Sequence, residues 1–155
     1  MKEIILNRCH YGVPSKITLV DDEDYEMLNE YNWCQDSRGY VVSGRSSDLV
    51  RMHRLVMRTP NNVETDHIDG NKLNNQKCNL RICTHAQNAR NRKSTKEFKG
   101  VYTFRDKYQS SIRIDSKPIH LGTFTTAVEA AIAYNKAAIK YHGEFAHLNN
   151  IPKEA

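Results

Sequence analysis

Asp66, His67 and Asn88 supply a carboxylate, an imidazole and an amide oxygen within a stretch that doubles back on itself twice. Thr65-Asp66-His67 reads as the end of a strand, and Asp69-Gly70-Asn71 and Asn74-Asn75 carry turn chemistry. Leu80-Arg81-Ile82-Cys83 then reads as a short return strand. Thr84 and Gln87 have capping-box spacing, so a helix opens there with Asn88 in its first turn, folded back over the hairpin. A carboxylate and an amide carbonyl are hard oxygen ligands of the kind Mg²⁺ takes. A neutral histidine can deprotonate water near pH 7, and a bound cation can stabilise charge on a phosphate and on a leaving 3′ oxygen. Those are the requirements of phosphodiester hydrolysis. Neighbouring strand residues point to opposite faces, so Asp66 and His67 can share one site only where the strand ends or bulges, which the Asp69-Gly70 turn allows.

The elements around this stretch fall into an α+β pattern. Residues 1–50 form a small β-rich segment expected to pack on the nuclease-like part, with strands at Lys16–Val20 and Gly39–Ser43. Between them, Asp21 to Tyr31 is acidic and helical in spacing, with Asp21 or Asp22 as N-cap and Trp33 following as a core anchor. Residues 51–93 form the hairpin-and-helix module, opening on a strand-like Arg51–Met57, and residues 94–98 form a polar linker. Residues 99–150 predict three strands, Gly100–Phe104, Tyr108–Ile114 and Pro118–Phe124. A second capping box, Thr126 with Glu129, then starts an alanine-rich helix ending near His142, with Gly143 as its left-handed stop. The side covering the sheet is expected to carry Val128, Ala131, Tyr134 or Asn135, Ala138 and Tyr141.

The net charge of +5 is unevenly placed. Residues 1–50 hold 5 Lys/Arg against 9 Asp/Glu, leaving 18 against 9 in the remainder. From Asn88 to Arg113 there are 8 basic and 2 acidic residues, a density suited to a polyanion. No apolar run is long enough to cross a bilayer, and no secretory signal is expected. Cys9, Cys34, Cys78 and Cys83 are too few and scattered for a disulfide scaffold, which points to a reducing, cytoplasmic compartment. Cys78 and Cys83 lie near His85 but lack a second close pair, so structural Zn²⁺ is not expected and buried thiols are.

From His53 to Lys93, the Asp66-His67 pair, Ile68-Asp69-Gly70-Asn71, Asn74-Asn75, Asn79-Leu80 and Asn88 resemble the HNH (ββα-metal) endonucleases of phage and homing type. The resemblance implies Asp66 and Asn88 as metal ligands and His67 as general base. It also implies that Asn79 bonds across the loop to hold the hairpin. Asn88 stands where the eponymous pattern has its last histidine, which favours Mg²⁺ or Mn²⁺ over Zn²⁺. His53, Arg54 and His85 are further candidates for substrate contact.

Lys99-Gly100-Val101-Tyr102, Ser111-Ile112-Arg113, His120–Phe124, Thr126–Ala131, Ala133-Tyr134 and Ala146–Asn149 resemble the AP2 DNA-binding domain over nearly all of residues 98–150. The resemblance implies a three-stranded antiparallel sheet laid in the major groove of double-stranded DNA. Arg113, Arg105, Lys107 and Tyr108 are then the candidate contacts, and Arg90, Arg92, Lys93, Lys96 and Lys99 are read as phosphate contacts between the modules. Ser111 replaces the family's glutamate before Ile-Arg, so known target preferences do not transfer. The combination resembles phage-encoded or homing-type endonucleases, which would act in a bacterial host's cytoplasm. The alternative is a non-catalytic DNA-binding or regulatory protein that keeps the HNH fold. A zinc-stabilised interaction module is the third reading. One active site per chain suits nicking by a monomer or two cuts by a dimer.

Overall fold

Lys2–Ile5 (β1) pairs antiparallel with Ile17–Val20 (β2), and the acidic segment after it forms helix α1, Asp22–Asn29. The computed structural model describes residues 1–7 and 16–152, so Cys9 lies outside the described residues. Trp33 is buried, and its indole N–H donates to the Leu28 carbonyl at 2.6 Å, closing the end of α1. Cys34–Gln35 (β3), Val41–Ser43 (β4) and Val50–Arg51 (β5) make a second small sheet in the order β3-β4-β5.

The chain then departs from the expected strand at Arg51–Met57. Helix α2 spans Met52–Val56 instead. Met52, Leu55 and Val56 fall at i, i+3 and i+4, so one helical face turns all three towards the core. A run this short carries too few apolar positions for its period to separate helix from strand. Glu64–His67 (β6) and Leu80–Cys83 (β7) form the hairpin, followed by helix α3, His85–Asn91. Both halves of the expected Thr84–Gln87 capping box are present. Leu80 of the hairpin shares one core with Ile4, Leu6, Val20, Leu28, Trp33, Val41, Met52 and Val56.

Two compact units divide the chain, residues 1–88 and 89–155. In the second, Val101–Phe104 (β8), Lys107–Ile114 (β9) and Lys117–Phe124 (β10) form an antiparallel sheet in the order β10-β9-β8. Helix α4, Ala127–His142, carries a complete Thr126–Glu129 capping box and packs on the sheet. Its buried residues are Ala130, Ala131, Tyr134, Ala137, Ala138 and His142, while Tyr141 is exposed. Ala131, Tyr134 and Ala138 of the expected face are thus buried and Val128 packs partly on the core, while Ala130, Ala137 and His142 widen that face and Tyr141 falls outside it. Phe98, assigned by the sequence to a polar linker, is buried in this core. Gly100 has φ +76°, and a Cβ there would meet the Tyr134 ring at 2.1 Å, so only glycine fits.

His53 is only 4% exposed, on the inner side of α2. Burial, then the neighbouring His67 and the charges of Arg51, Arg54 and Lys72, lower its pKa to about 3. In the unfolded chain it titrates near 6.5. Between those values the unfolded state binds the extra proton, so stability present above about pH 6.5 is lost as pH falls towards 3. We expect urea unfolding to show this loss at up to about 1.4 kcal/mol per pH unit, and His53→Gln to flatten it. Parallel losses in wild type and His53→Gln would reject the assignment.

Candidate functional site

The β6–β7 register decides which side chains meet. Glu64 lies opposite Cys83, Asp66 opposite Arg81, and His67 opposite Leu80, without a bulge. Glu64 and Asp66 therefore share one face of the hairpin, and His67 leaves from the other. On the first face Arg81 Nε and one terminal nitrogen both donate to Asp66 Oδ2, at 3.0 and 2.7 Å, in a pair that is almost wholly buried. Asn88 Nδ2 donates to Glu64 Oε2 at 2.6 Å, and His85 Nδ1 donates to Glu64 Oε1 at 2.7 Å. One carboxylate thus holds the first turn of α3 down on the strand. Burial and the Asp66 and Glu64 carboxylates push the Cys83 thiol up to about 11, so it stays protonated and unreactive.

On the other face, His67 is buried among Tyr40, His53 and Asn75. Its Nε2 lies 3.2 Å from Asn75 Oδ1, and its ring meets that of His53 edge-on at 5.2 Å. Burial lowers its pKa, opposed by the Asn75 hydrogen bond and the Asp69 and Asp66 carboxylates. The ring is held neutral at neutral pH, the form a general base requires.

Asn79 ties the hairpin loop together. Its Nδ2 donates to Asp69 Oδ1 and to the Asn74 carbonyl, both at 2.9 Å, and its Oδ1 accepts from the Asp69 N–H at 3.1 Å. The loop is also latched from outside. Asp21, at the N-cap position of α1, makes no side-chain cap there. It accepts instead from Gln76 Nε2 and the Lys77 N–H, at 3.0 and 2.8 Å. Lys77 in turn pairs with Glu23 and Asp24.

Among the described residues, no group of three His, Cys, Asp or Glu side chains is gathered to hold a metal ion by itself. The donors on the Asp66 face nonetheless suit a hard cation, since Mg²⁺ usually takes one or two protein oxygens and keeps several waters. Asp66 offers a carboxylate, and Asn88, with its nitrogen committed to Glu64, offers its amide oxygen. Cys83 is buried as expected, whereas Cys78 is exposed, which corrects its reading as a buried thiol.

The remaining candidates divide clearly. His53 lies beneath His67 rather than at the surface. Arg54 donates to the carbonyls of Val63, Thr59 and Pro60, at 2.8, 3.3 and 2.7 Å, and so braces the chain entering β6. His85 is exposed beside Asn88, on Glu64. In the second unit, β9 alternates: Ser110 and Ile112 face α4, while Lys107 and Arg113 face out with Tyr102 and Phe104 of β8. Tyr108 has the inward parity and, partly buried, packs against the core of Phe98, Val101, Ala130 and Ala131 rather than facing out with Lys107 and Arg113. Arg105 sits in the β8–β9 turn at φ 54°, over the Phe104 ring. Arg90 pairs with Asp115 at 3.6 Å, while Arg92 and Lys93 are exposed. The sequence reading missed Arg81, Glu64, Asn75 and Thr18. Arg81 and Glu64 are recognisable only once the hairpin register is known.

The HNH endonuclease family model matches residues 51–90, which run from the end of β5 through the hairpin into α3. An uncharacterised HNH endonuclease of Acanthamoeba polyphaga mimivirus is 33% identical over 138 residues, covering 83% of this chain and 72% of that protein. An ethylene-responsive transcription factor-like protein of Arabidopsis thaliana is 48% identical over 40 residues in the C-terminal region, 26% of this chain and only 18% of that protein. No solved structure gives a significant match. A hairpin and helix with this geometry, under a family match and a relative that follows most of the chain, leave one conclusion: the protein belongs to the HNH endonuclease family of phosphodiester hydrolases.

Proposed function

We propose that this chain is a divalent-metal-dependent endonuclease that cuts duplex DNA with His67 as general base, and that its AP2-like sheet holds the substrate. The observation that carries the reading is the Glu64–Asn88 hydrogen bond, which seats the helix amide on the strand face that bears Asp66. Asp66 and Asn88 would hold Mg²⁺ or Mn²⁺. When bound, that cation would stabilise negative charge on the scissile phosphate and on the leaving 3′ oxygen. His67 would take a proton from the attacking water. Because Asp66 and His67 leave opposite faces, a phosphate served by both must lie across the end of β6, where the strand stops at His67. Arg81 brings a positive charge to the same face and would favour an approaching phosphate. Lys107, Arg113 and the exposed Tyr102 and Phe104 supply charge and stacking surface on the outer side of the sheet.

Supercoiled plasmid should be converted to open-circle or linear forms with Mg²⁺ or Mn²⁺ and left intact in excess EDTA. Equal cutting in EDTA would sink the metal mechanism. His67→Ala should reduce the rate by about 10²–10⁴-fold while DNA affinity stays nearly unchanged. Because burial lowers the His67 pKa, and a bound cation acts in the same direction, the acid limb of kcat/KM should lie below about pH 6.5. An acid limb above neutrality, or a His67→Ala protein that cuts at the wild-type rate, would remove His67 from the mechanism. Lys107→Ala and Arg113→Ala should each weaken DNA binding and lower the slope of log affinity against log salt by about 1. An unchanged slope in both would show that this sheet face does not meet phosphate.

A further inference from the structure

His67 is held by groups that the reaction itself does not need. Asn75 is 1% exposed and Thr18, contributed by β2, is 0% exposed. Thr18 Oγ1 donates its single proton to the Leu73 carbonyl at 2.8 Å; Met52 Sδ, at 3.9 Å, is the weaker acceptor. With that proton committed, Thr18 Oγ1 accepts from Asn75 Nδ2 at 2.8 Å. The same Nδ2 donates to the Lys72 carbonyl at 3.3 Å. A backbone carbonyl only accepts, so the Leu73 and Lys72 carbonyls together dictate where every proton in the chain goes. The amide cannot be turned round without setting its oxygen against the Lys72 oxygen. Asn75 Oδ1 therefore faces His67 Nε2, 3.2 Å away, and an oxygen there requires a proton on that nitrogen.

We infer that Thr18 and Asn75 are positioning residues that fix His67 as the Nε2–H tautomer, so that Nδ1 is the nitrogen that takes the proton from water. This rests on the proposed role of His67 as general base. The accounting balances: water loses one proton to Nδ1, the hydroxyl forms the new bond to phosphorus, and the bond to the 3′ oxygen breaks with its electron pair on that oxygen, which takes a proton from solvent while the imidazolium later returns its own to solvent. The imidazolium keeps its Nε2–H bond to Asn75 throughout. The inference also gives residues 1–50 a task at the site, because Thr18 belongs to that segment.

The test uses the full-length protein labelled with ¹⁵N-histidine, with His67→Gln identifying the His67 signals by their loss. Two-bond ¹H–¹⁵N spectra of wild type should show His67 with a protonated Nε2 and a pyridine-type Nδ1. Thr18→Val keeps the volume but removes the acceptor. It should yield a mixture of tautomers and lower kcat roughly tenfold, with DNA affinity and KM unchanged. Thr18→Ser should restore both tautomer and rate. Asn75→Ala, which removes the acceptor facing Nε2, should likewise lose the single tautomer. A wild-type His67 protonated on Nδ1 overturns the inference, and needs no variant to fold. So does a Thr18→Val protein that keeps a single tautomer and the wild-type kcat. If the spectra agree with the inference while His67→Ala still cuts normally, the tautomer assignment stands and the general-base reading fails.

Discussion

Leu19 exchanges two backbone hydrogen bonds with the loop between β6 and β7: its N–H donates to the Leu73 carbonyl and its carbonyl accepts from the Asn75 N–H, both at 2.8 Å. Residues 68–79 contain no regular structure beyond a short turn of 3₁₀ helix, and a loop of that kind does not choose one conformation for itself. The contact with β2 chooses it. Once Leu73 and Asn75 are fixed, the Asn75 side chain is delivered into the interior, and the Asn79 amide can close the remainder on Asp69 and Asn74. The acidic start of α1 adds an outer latch at Gln76 and Lys77. Most of these outer groups are solvent-exposed, so each pair contributes little on its own and acts by restricting the loop.

A strand pleat sorts the chemistry. One face of the hairpin is dry, with His53 and His67 kept neutral by burial, and the other carries Asp66, Glu64 and Arg81. Carboxylates and a neutral imidazole would disturb one another if packed together, since a buried imidazole beside two carboxylates would be driven towards its charged form. Separation by the backbone of β6 lets each keep its own surroundings, one residue apart in sequence. The two environments meet only where the strand ends.

Much of this was legible in the sequence because it is local. Thr84 with Gln87, Thr126 with Glu129, and the strands of the C-terminal sheet are written in short-range spacing, and the structure reproduces them. Met52–Val56 was misread because five residues do not complete enough turns to display a period. Tyr108 is a different case. It differs in parity from Arg113 on the same strand, and counting along that strand would have placed it inside. The Thr18–Asn75 and Arg81–Asp66 contacts could not have been read this way. Thr18 and Asn75 are 57 positions apart, and Arg81 reaches Asp66 only through a register that sequence does not specify.

The contact between Gly100 and the Tyr134 ring bears on how the C-terminal unit can vary. Here a hydrogen atom on one element is matched to an aromatic ring on another, and neither can be altered alone. A methyl group at 100 has nowhere to go while the ring is present, and loss of the ring would leave a hollow beneath β8 that glycine cannot fill. Trimming the ring would still not admit a side chain at 100, since the added carbon would lie 2.7 Å from the Ser111 carbonyl oxygen and the backbone would keep its left-handed φ.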